Sequence, residues 1–232
     1  MAQQNVNPFF VEDHIVIEPT QKHTGTLIVL HGITSCGKDM KNMLVSMIFP
    51  SVKYIFPTAP TRYISSKKYA KTAPAWYDVF DESEDVEGIK KASQAVQELV
   101  KKEMDRGTTS DRIMILGYSQ GGAVAYFTAI TSPFKFASIL TWCTRLPLSN
   151  NIHEYLVRTN GKFEYLIKQF HGDADNVFSV EVGEQSVRKL NEIGFKAELK
   201  VFKGVRHHPV EGFFQETKEY IQFVLVPNSE QV

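Results

Sequence analysis

Ile113-Met114-Ile115-Leu116-Gly117-Tyr118-Ser119-Gln120-Gly121-Gly122 is an apolar run that breaks into a serine flanked by glycines, and the rest of the chain is best read outward from it. Upstream, Gly107-Thr108-Thr109-Ser110-Asp111 is turn-like; downstream, Ala123 to Ile130 reads as a buried helix. A buried strand that passes at once into a buried helix must bend sharply. Gly117 and Gly121 stand where the two backbones come close and a Cβ would clash. Such a turn pushes Ser119 outward, as a nucleophilic serine requires. A lone G-x-S-x-G is a weak signal that also fits an ordinary glycine-rich turn; the strand before it and the helix after it favour the nucleophile.

On either side, strand-like and helix-like patterns alternate, which predicts an α/β fold with a mostly parallel central sheet and helices on both faces. His14 to Ile17, Thr26 to Leu30, Lys53 to Phe56, Ala137 to Leu140, Tyr165 to Phe170 and Lys196 to Phe202 are the further strand candidates. Helices are expected over Met40 to Phe49, Asp85 to Met104, Val180 to Ile193 and Glu211 to Val226. Tyr63 to Pro74 reads as a loop.

The chain of 232 residues is of a size that one α/β core can fill, so a single domain over residues 1–232 is expected. Its 26 basic and 26 acidic residues cancel, which argues against nucleic acid or an acidic membrane as a partner. Cys36 and Cys143 lack zinc-type spacing and read as free thiols. The first residues, Met1-Ala2-Gln3-Gln4-Asn5, do not look like a secretory signal, and no apolar run is of membrane-spanning length, so a cytoplasmic location without an integral membrane segment is expected.

A serine hydroxyl is a poor nucleophile until a base takes its proton and a third group orients the base. Two segments after Ser119 offer these groups. His171-Gly172-Asp173-Ala174-Asp175 follows one strand candidate and Gly204-Val205-Arg206-His207-His208 follows another, so both fall on loops at the carboxyl edge of the sheet, where sites in open α/β sheets lie. Spacing does not choose between Asp173 and Asp175, one of which could cap a turn. Of His207 and His208, only one can face the serine.

The ordered motifs resemble the acyl-protein thioesterase and small carboxylesterase family, within the phospholipase/carboxylesterase group of α/β-hydrolases. The resemblance is carried by Leu30-His31-Gly32, Phe56-Pro57-Thr58-Ala59-Pro60 with Arg62, and Ala75-Trp76-Tyr77-Asp78. It continues through Glu87-Gly88-Ile89-Lys90, Gly117 to Ala123, Leu146-Pro147-Leu148, His171 to Asp175, and Gly204 three residues before His207. It implies an α/β-hydrolase fold and a catalytic triad of Ser119, Asp175 and His207. It further implies an oxyanion hole made by the backbone N–H groups of Ile33 and Gln120, with His31 packing or hydrogen bonding to hold the oxyanion loop. The reaction implied is hydrolysis of acyl thioesters or esters, with no cofactor and no metal. Substrates would be acylated proteins, or small acyl esters and lysolipids, with transient contact at a membrane surface.

The chain departs from the family pattern in places. Family members usually carry an apolar loop after Arg62, whereas here Lys67, Lys68 and Lys71 interrupt it. The reading keeps Tyr63, Ile64 and Tyr69 as pocket candidates, with the lysines solvated on the outer face. Trp76 matches a family aromatic near the acyl site and fits a core position as well. Arg145 stands where the family has an aromatic residue; facing the pocket it would favour an acidic substrate, and surface exposure is the simpler expectation. Two other classes compete. A binding protein that no longer turns over would lack a triad residue, and none is missing. A metallohydrolase using His171, Asp173, Asp175, His207 and His208 would leave the serine turn unexplained.

Overall fold

The computed structural model describes residues 14–68, 70–158 and 164–227. Among these, the strands are β1 (Ile15–Ile17), β2 (Gly25–Leu30), β3 (Val52–Phe56), β4 (Thr61–Ile64), β5 (Lys71–Pro74), β6 (Ile113–Tyr118), β7 (Ser138–Trp142), β8 (Leu166–Gly172) and β9 (Lys196–Phe202). The α-helices are α1 (Gly37–Met43), α2 (Val86–Asp105), α3 (Gln120–Thr131), α4 (Val180–Glu192) and α5 (Glu211–Leu225). The main sheet runs β1-β3-β2-β6-β7-β8-β9. All its pairs are parallel except β1 with β3.

Every residue of β2, β3, β6 and β7 is buried, because helices cover both faces and each strand must be apolar on both sides. One core packs α2 and α3 against the sheet through Ile89, Val96, Val124 and Phe127; the other packs α1 and α5 through Met40, Phe213, Ile221 and Leu225. Helix α2 starts at Asp85, whose side chain accepts from Gly88 N at 2.9 Å. The apolar spacing read from the sequence is the face it buries.

Two segments differ from expectation. The helix expected over Met40 to Phe49 begins at Gly37 and gives way to a 3₁₀ turn at Val45–Met47, since Asp39 accepts from Cys36 N at 3.1 Å and caps the earlier start. Tyr63 to Pro74 holds a hairpin rather than a loop, β4 pairing with β5 from Thr61 opposite Pro74 to Ile64 opposite Lys71. Among the described residues its buried apolar side chains are Ile64 and Ala73, which pack with Ala75, so its alternation is hidden among serines and lysines.

Candidate active site

The turn from β6 to α3 holds Ser119 at φ 52° and ψ −114°, a left-handed conformation that costs a serine about 1–3 kcal/mol. The surroundings impose it. Ser119 N donates to Trp142 O at 2.9 Å, and Ser119 O accepts from Thr144 Oγ1 at 2.7 Å and from Gly122 N at 3.0 Å. A Cβ on Gly117 would lie 2.4 Å from Gly121 O, and one on Gly121 would lie 2.4 Å from Leu30 O. Glycine at both positions therefore lets α3 start against the end of β2, which lays the His31-Gly32-Ile33 loop beside the serine.

Ser119, His207 and Asp175 arrive on the loops after β6, β9 and β8 and are all buried. Ser119 Oγ lies 2.9 Å from His207 Nε2, and His207 Nδ1 lies 2.8 Å from Asp175 Oδ2. In the neutral ring this is Nδ1–H donating to the carboxylate and Nε2 accepting from the serine. Burial alone would raise the Asp175 carboxyl, but hydrogen bonds from His171, His207 and the N–H groups of Val177 and Phe178 hold it well below the usual carboxylate range. These bonds favour the ionised carboxylate at neutral pH.

The alternatives lie elsewhere. Asp173 is exposed and accepts from Gly204 N at 2.6 Å, bracing the loop that carries His207. His208 is exposed and bonds Tyr118 Oη at 3.2 Å. His171 is fully buried, and its ring is oriented by its neighbours: Nδ1 accepts from Gln169 Nε2 at 2.8 Å, so Nε2–H donates to Phe178 O at 2.9 Å and lies 3.4 Å from Asp175 Oδ2. Gln169 Nε2 also donates to Thr144 O, while its Oε1 accepts from Tyr126, which accepts from Thr141. A buried polar network thus runs from Thr141 to Ser119 with its members satisfied. Sequence reasoning did not find Thr144 or Gln169. The polar residue at 169, in the middle of an otherwise apolar strand, was the available signal.

Ile33 N and Gln120 N donate to no protein group among the described residues. His31 Nδ1 donates to Gly32 O at 2.7 Å, and Nε2 accepts from Ala59 N at 3.0 Å, as expected for a residue that holds this loop. Burial pushes the His31 ring down to about 4, so it is neutral at physiological pH. Trp76 Nε1 donates to His31 O at 2.8 Å, and Trp76 N donates to Gln120 Oε1 at 2.9 Å. Gln120 Nε2 donates to Tyr77 O at 2.8 Å. The Gln120 side chain, not anticipated from sequence, therefore binds the Trp76-Tyr77 backbone to the serine turn.

A cavity of about 230 Å³ opens at Ser119, with Ile33, Lys68, Glu84, Arg145 and Phe178 in its wall. Trp76, Tyr63 and Ile64 do not line it. Trp76 is fully buried beneath the His31-Gly32-Ile33 loop, Ile64 lies in the small core under the hairpin, and Tyr63 is 62% exposed. Tyr69 lies outside the described residues. Arg145 lines the cavity with its side chain 34% exposed; its Nη1 donates to Glu84 Oε1 at 2.7 Å and its guanidinium lies 6.0 Å from the Phe178 ring centroid. Glu84 is fixed in turn by Leu148 N at 2.9 Å. A larger cavity, about 630 Å³, lies at the opposite edge of the sheet among Thr24, Ser51, Thr108 and Arg112, away from Ser119.

The sequence matches the phospholipase/carboxylesterase family over residues 11–225. It is 30% identical over 206 residues to acyl-protein thioesterase 1 of Neurospora crassa, spanning 83% of this chain and 84% of that protein. It is 32% identical over 194 residues to acyl-protein thioesterase 1 of Cryptococcus neoformans var. neoformans serotype D, spanning 79% and 80%. In fold it is similar to acyl-protein thioesterase 2 of Zea mays, with a TM-score of 0.81 at 24% identity, covering 92% of this chain and 99% of the other. Arabidopsis thaliana SOBER1 is similar in fold at a TM-score of 0.80 and 20% identity, covering 87% and 99%. With its parallel sheet, its glycine-flanked serine turn and this match along nearly the whole chain, the protein belongs to the phospholipase/carboxylesterase family of α/β-hydrolases and is a hydrolase.

Proposed function

We propose that the protein hydrolyses acyl thioesters or esters through Ser119, His207 and Asp175. His207 takes the Ser119 proton as the hydroxyl attacks the acyl carbonyl, and Asp175 keeps the imidazole in the useful tautomer. The N–H groups of Ile33 and Gln120 receive the negative oxygen of the tetrahedral intermediate. The leaving thiol or alcohol takes the proton from His207, and an acyl-enzyme remains. Water, activated by the same imidazole, then releases the acid and restores the serine. The observation that carries this reading is the unbroken chain of hydrogen bonds, 2.9 Å then 2.8 Å, from Ser119 to Asp175.

The names of the relatives support acylated proteins as substrates, in which case the enzyme would remove acyl groups from protein cysteines. A cytoplasmic location with passing contact at membrane surfaces goes with that reading, and fractionation of the tagged protein checks it. A second reading, a carboxylesterase or lysophospholipase acting on small esters or lysolipids, is favoured by the cavity. Its volume of about 230 Å³ falls below the roughly 300–1,000 Å³ of drug-sized ligand sites, and its wall includes the charged Lys68, Glu84 and Arg145. Hydrolysis of a thioester series from acetyl to palmitoyl, with matched oxygen esters, separates the two. A kcat/KM that rises to long chains supports the deacylase; a peak at short chains supports the small-ester enzyme. Turnover of neither series above the Ser119→Ala background would refute both.

A further inference from the structure

Hydrolysis as proposed makes no use of Cys143, yet this thiol is buried beside the triad. Cys143 follows β7, is fully buried, and has a left-handed φ of 46° with its N–H donating to Phe170 O at 2.9 Å. One donor atom each from Cys143, Asp175 and His207 lies within 4.8 Å of the other two. Among the described residues, no other group of three or more His, Cys, Asp or Glu side chains is close enough to share an ion. Of the residues considered for a metallohydrolase, Asp175 and His207 belong to this group and His171, Asp173 and His208 do not. Burial, with Asp175 nearby, pushes the Cys143 thiol far above its ordinary range, so the free thiol is protonated at neutral pH.

We propose that Cys143, Asp175 and His207 form an inhibitory Zn²⁺ site that switches off the proposed triad. A thiolate, an imidazole and a carboxylate are the donors zinc takes in four-coordinate sites, and they are poorly suited to magnesium or calcium. With Zn–N and Zn–O near 2.0–2.1 Å, tetrahedral geometry needs about 3.3 Å between nitrogen and oxygen. His207 Nδ1 and Asp175 Oδ2 are 2.8 Å apart and have only to part by about half an ångström. The thiol moves inward by no more than about 1.2 Å to bring the sulfur within bonding distance. A water completes the fourth position.

The proton inventory explains the inhibition. Zinc displaces the thiol proton to solvent and takes the Nδ1 lone pair, so the Nδ1 proton transfers to Nε2. An imidazole protonated at Nε2 donates toward Ser119 Oγ and can no longer accept its proton. One net proton is released, so inhibition tightens as pH rises.

The test is zinc titration of the EDTA-stripped full chain during hydrolysis of a soluble acetyl ester, with each variant compared with its own zinc-free rate. Wild type and Cys36→Ser are expected to lose activity and recover it with EDTA. Cys143→Ser should need about 10- to 100-fold more zinc for the same loss. Equal inhibition of wild type and Cys143→Ser, or none in wild type, overturns the proposal. A readout independent of turnover uses Cd²⁺ with Cys36→Ser/Ser119→Ala. The ultraviolet cadmium–thiolate band should appear in that protein and be lost when Cys143→Ser is added. The band appearing in a protein that shows no triad chemistry would separate failure of the triad reading from failure of this one; its absence contradicts the metal site directly.

Discussion

The loops that carry Ser119, Asp175 and His207 and the wall that faces the serine from Lys68 to Glu84 meet at one cavity but are held in different ways. Each triad loop is fed by a parallel strand of the main sheet, and its polar atoms are tied into the buried network through Gln169, His171 and Thr144. The wall hangs on a two-stranded hairpin and on carboxylates outside the core: half-buried Asp78 accepts from Ser65 N at 2.7 Å, and exposed Asp81 accepts from Ser66 Oγ at 3.0 Å. Its interior is the three-residue core of Ile64, Ala73 and Ala75. On the proposed reading, chemistry that must be placed to within a fraction of an ångström falls to the loops fed by the main sheet, and substrate choice to the wall that sequence change can reshape at small cost.

The contrast is sharpest if the triad assignments fail cleanly when altered. His207→Ala is expected to lower kcat by about 10⁶, as for loss of a triad base, whereas His208→Ala stays within roughly threefold of wild type. Comparable losses for both would mean that the rigid loop does not select one imidazole. Asp175→Asn should cost about 10⁴ in kcat, since the amide favours the wrong tautomer, and Asp173→Asn should cost less than about tenfold. A large effect at Asp173 would show that the brace to Gly204, rather than the carboxylate itself, controls the site.

His31 links the two regions and tests how firmly they are joined. The unfolded imidazole takes up a proton near pH 6.5, but the buried ring does not until about 4. The unfolded state therefore binds more protons in this window. The stability that the neutral ring contributes is complete above about pH 6.5 and is lost as pH falls toward 4, by about 3 kcal/mol in all. Urea unfolding of wild type and His31→Gln at several pH values checks this: the difference in slope between them should be confined to that window. Parallel curves would mean that His31 carries no such load.

The smallest effect is expected at Arg145, which meets the wall through Glu84. Arg145→Leu removes the ion pair with Glu84 and one charge from the wall, and it should raise the ratio of octanoyl to acetyl kcat/KM by roughly tenfold with little change in acetyl turnover. An unchanged ratio would mean that the acyl chain leaves Ser119 by another route.

The same contrast decides what the sequence could reveal. The serine turn was legible because backbone crowding demands glycine at fixed spacing, and the strands feeding it were legible because burial on both faces demands continuous apolar runs. Spacing narrowed the acid and the base to two candidates each, and family resemblance chose the pair that the geometry brings together at 2.8 Å. The pocket wall was not legible. Ile64 and Trp76 are apolar because they are core, while the cavity is faced in part by Lys68, Glu84 and Arg145, whose direction depends on long-range pairing such as Arg145 with Glu84, 61 residues away. Local pattern carries no record of such contacts.

In the proposed reaction, acyl transfer passes through Ser119. Its most direct test is to mix the protein with a p-nitrophenyl acyl ester, quench within the burst, and locate the added mass by peptide mapping. One acyl group is expected on the peptide containing Ser119, released over time in water, and none in Ser119→Ala. An acyl group on another residue, or turnover that persists in Ser119→Ala, would contradict it.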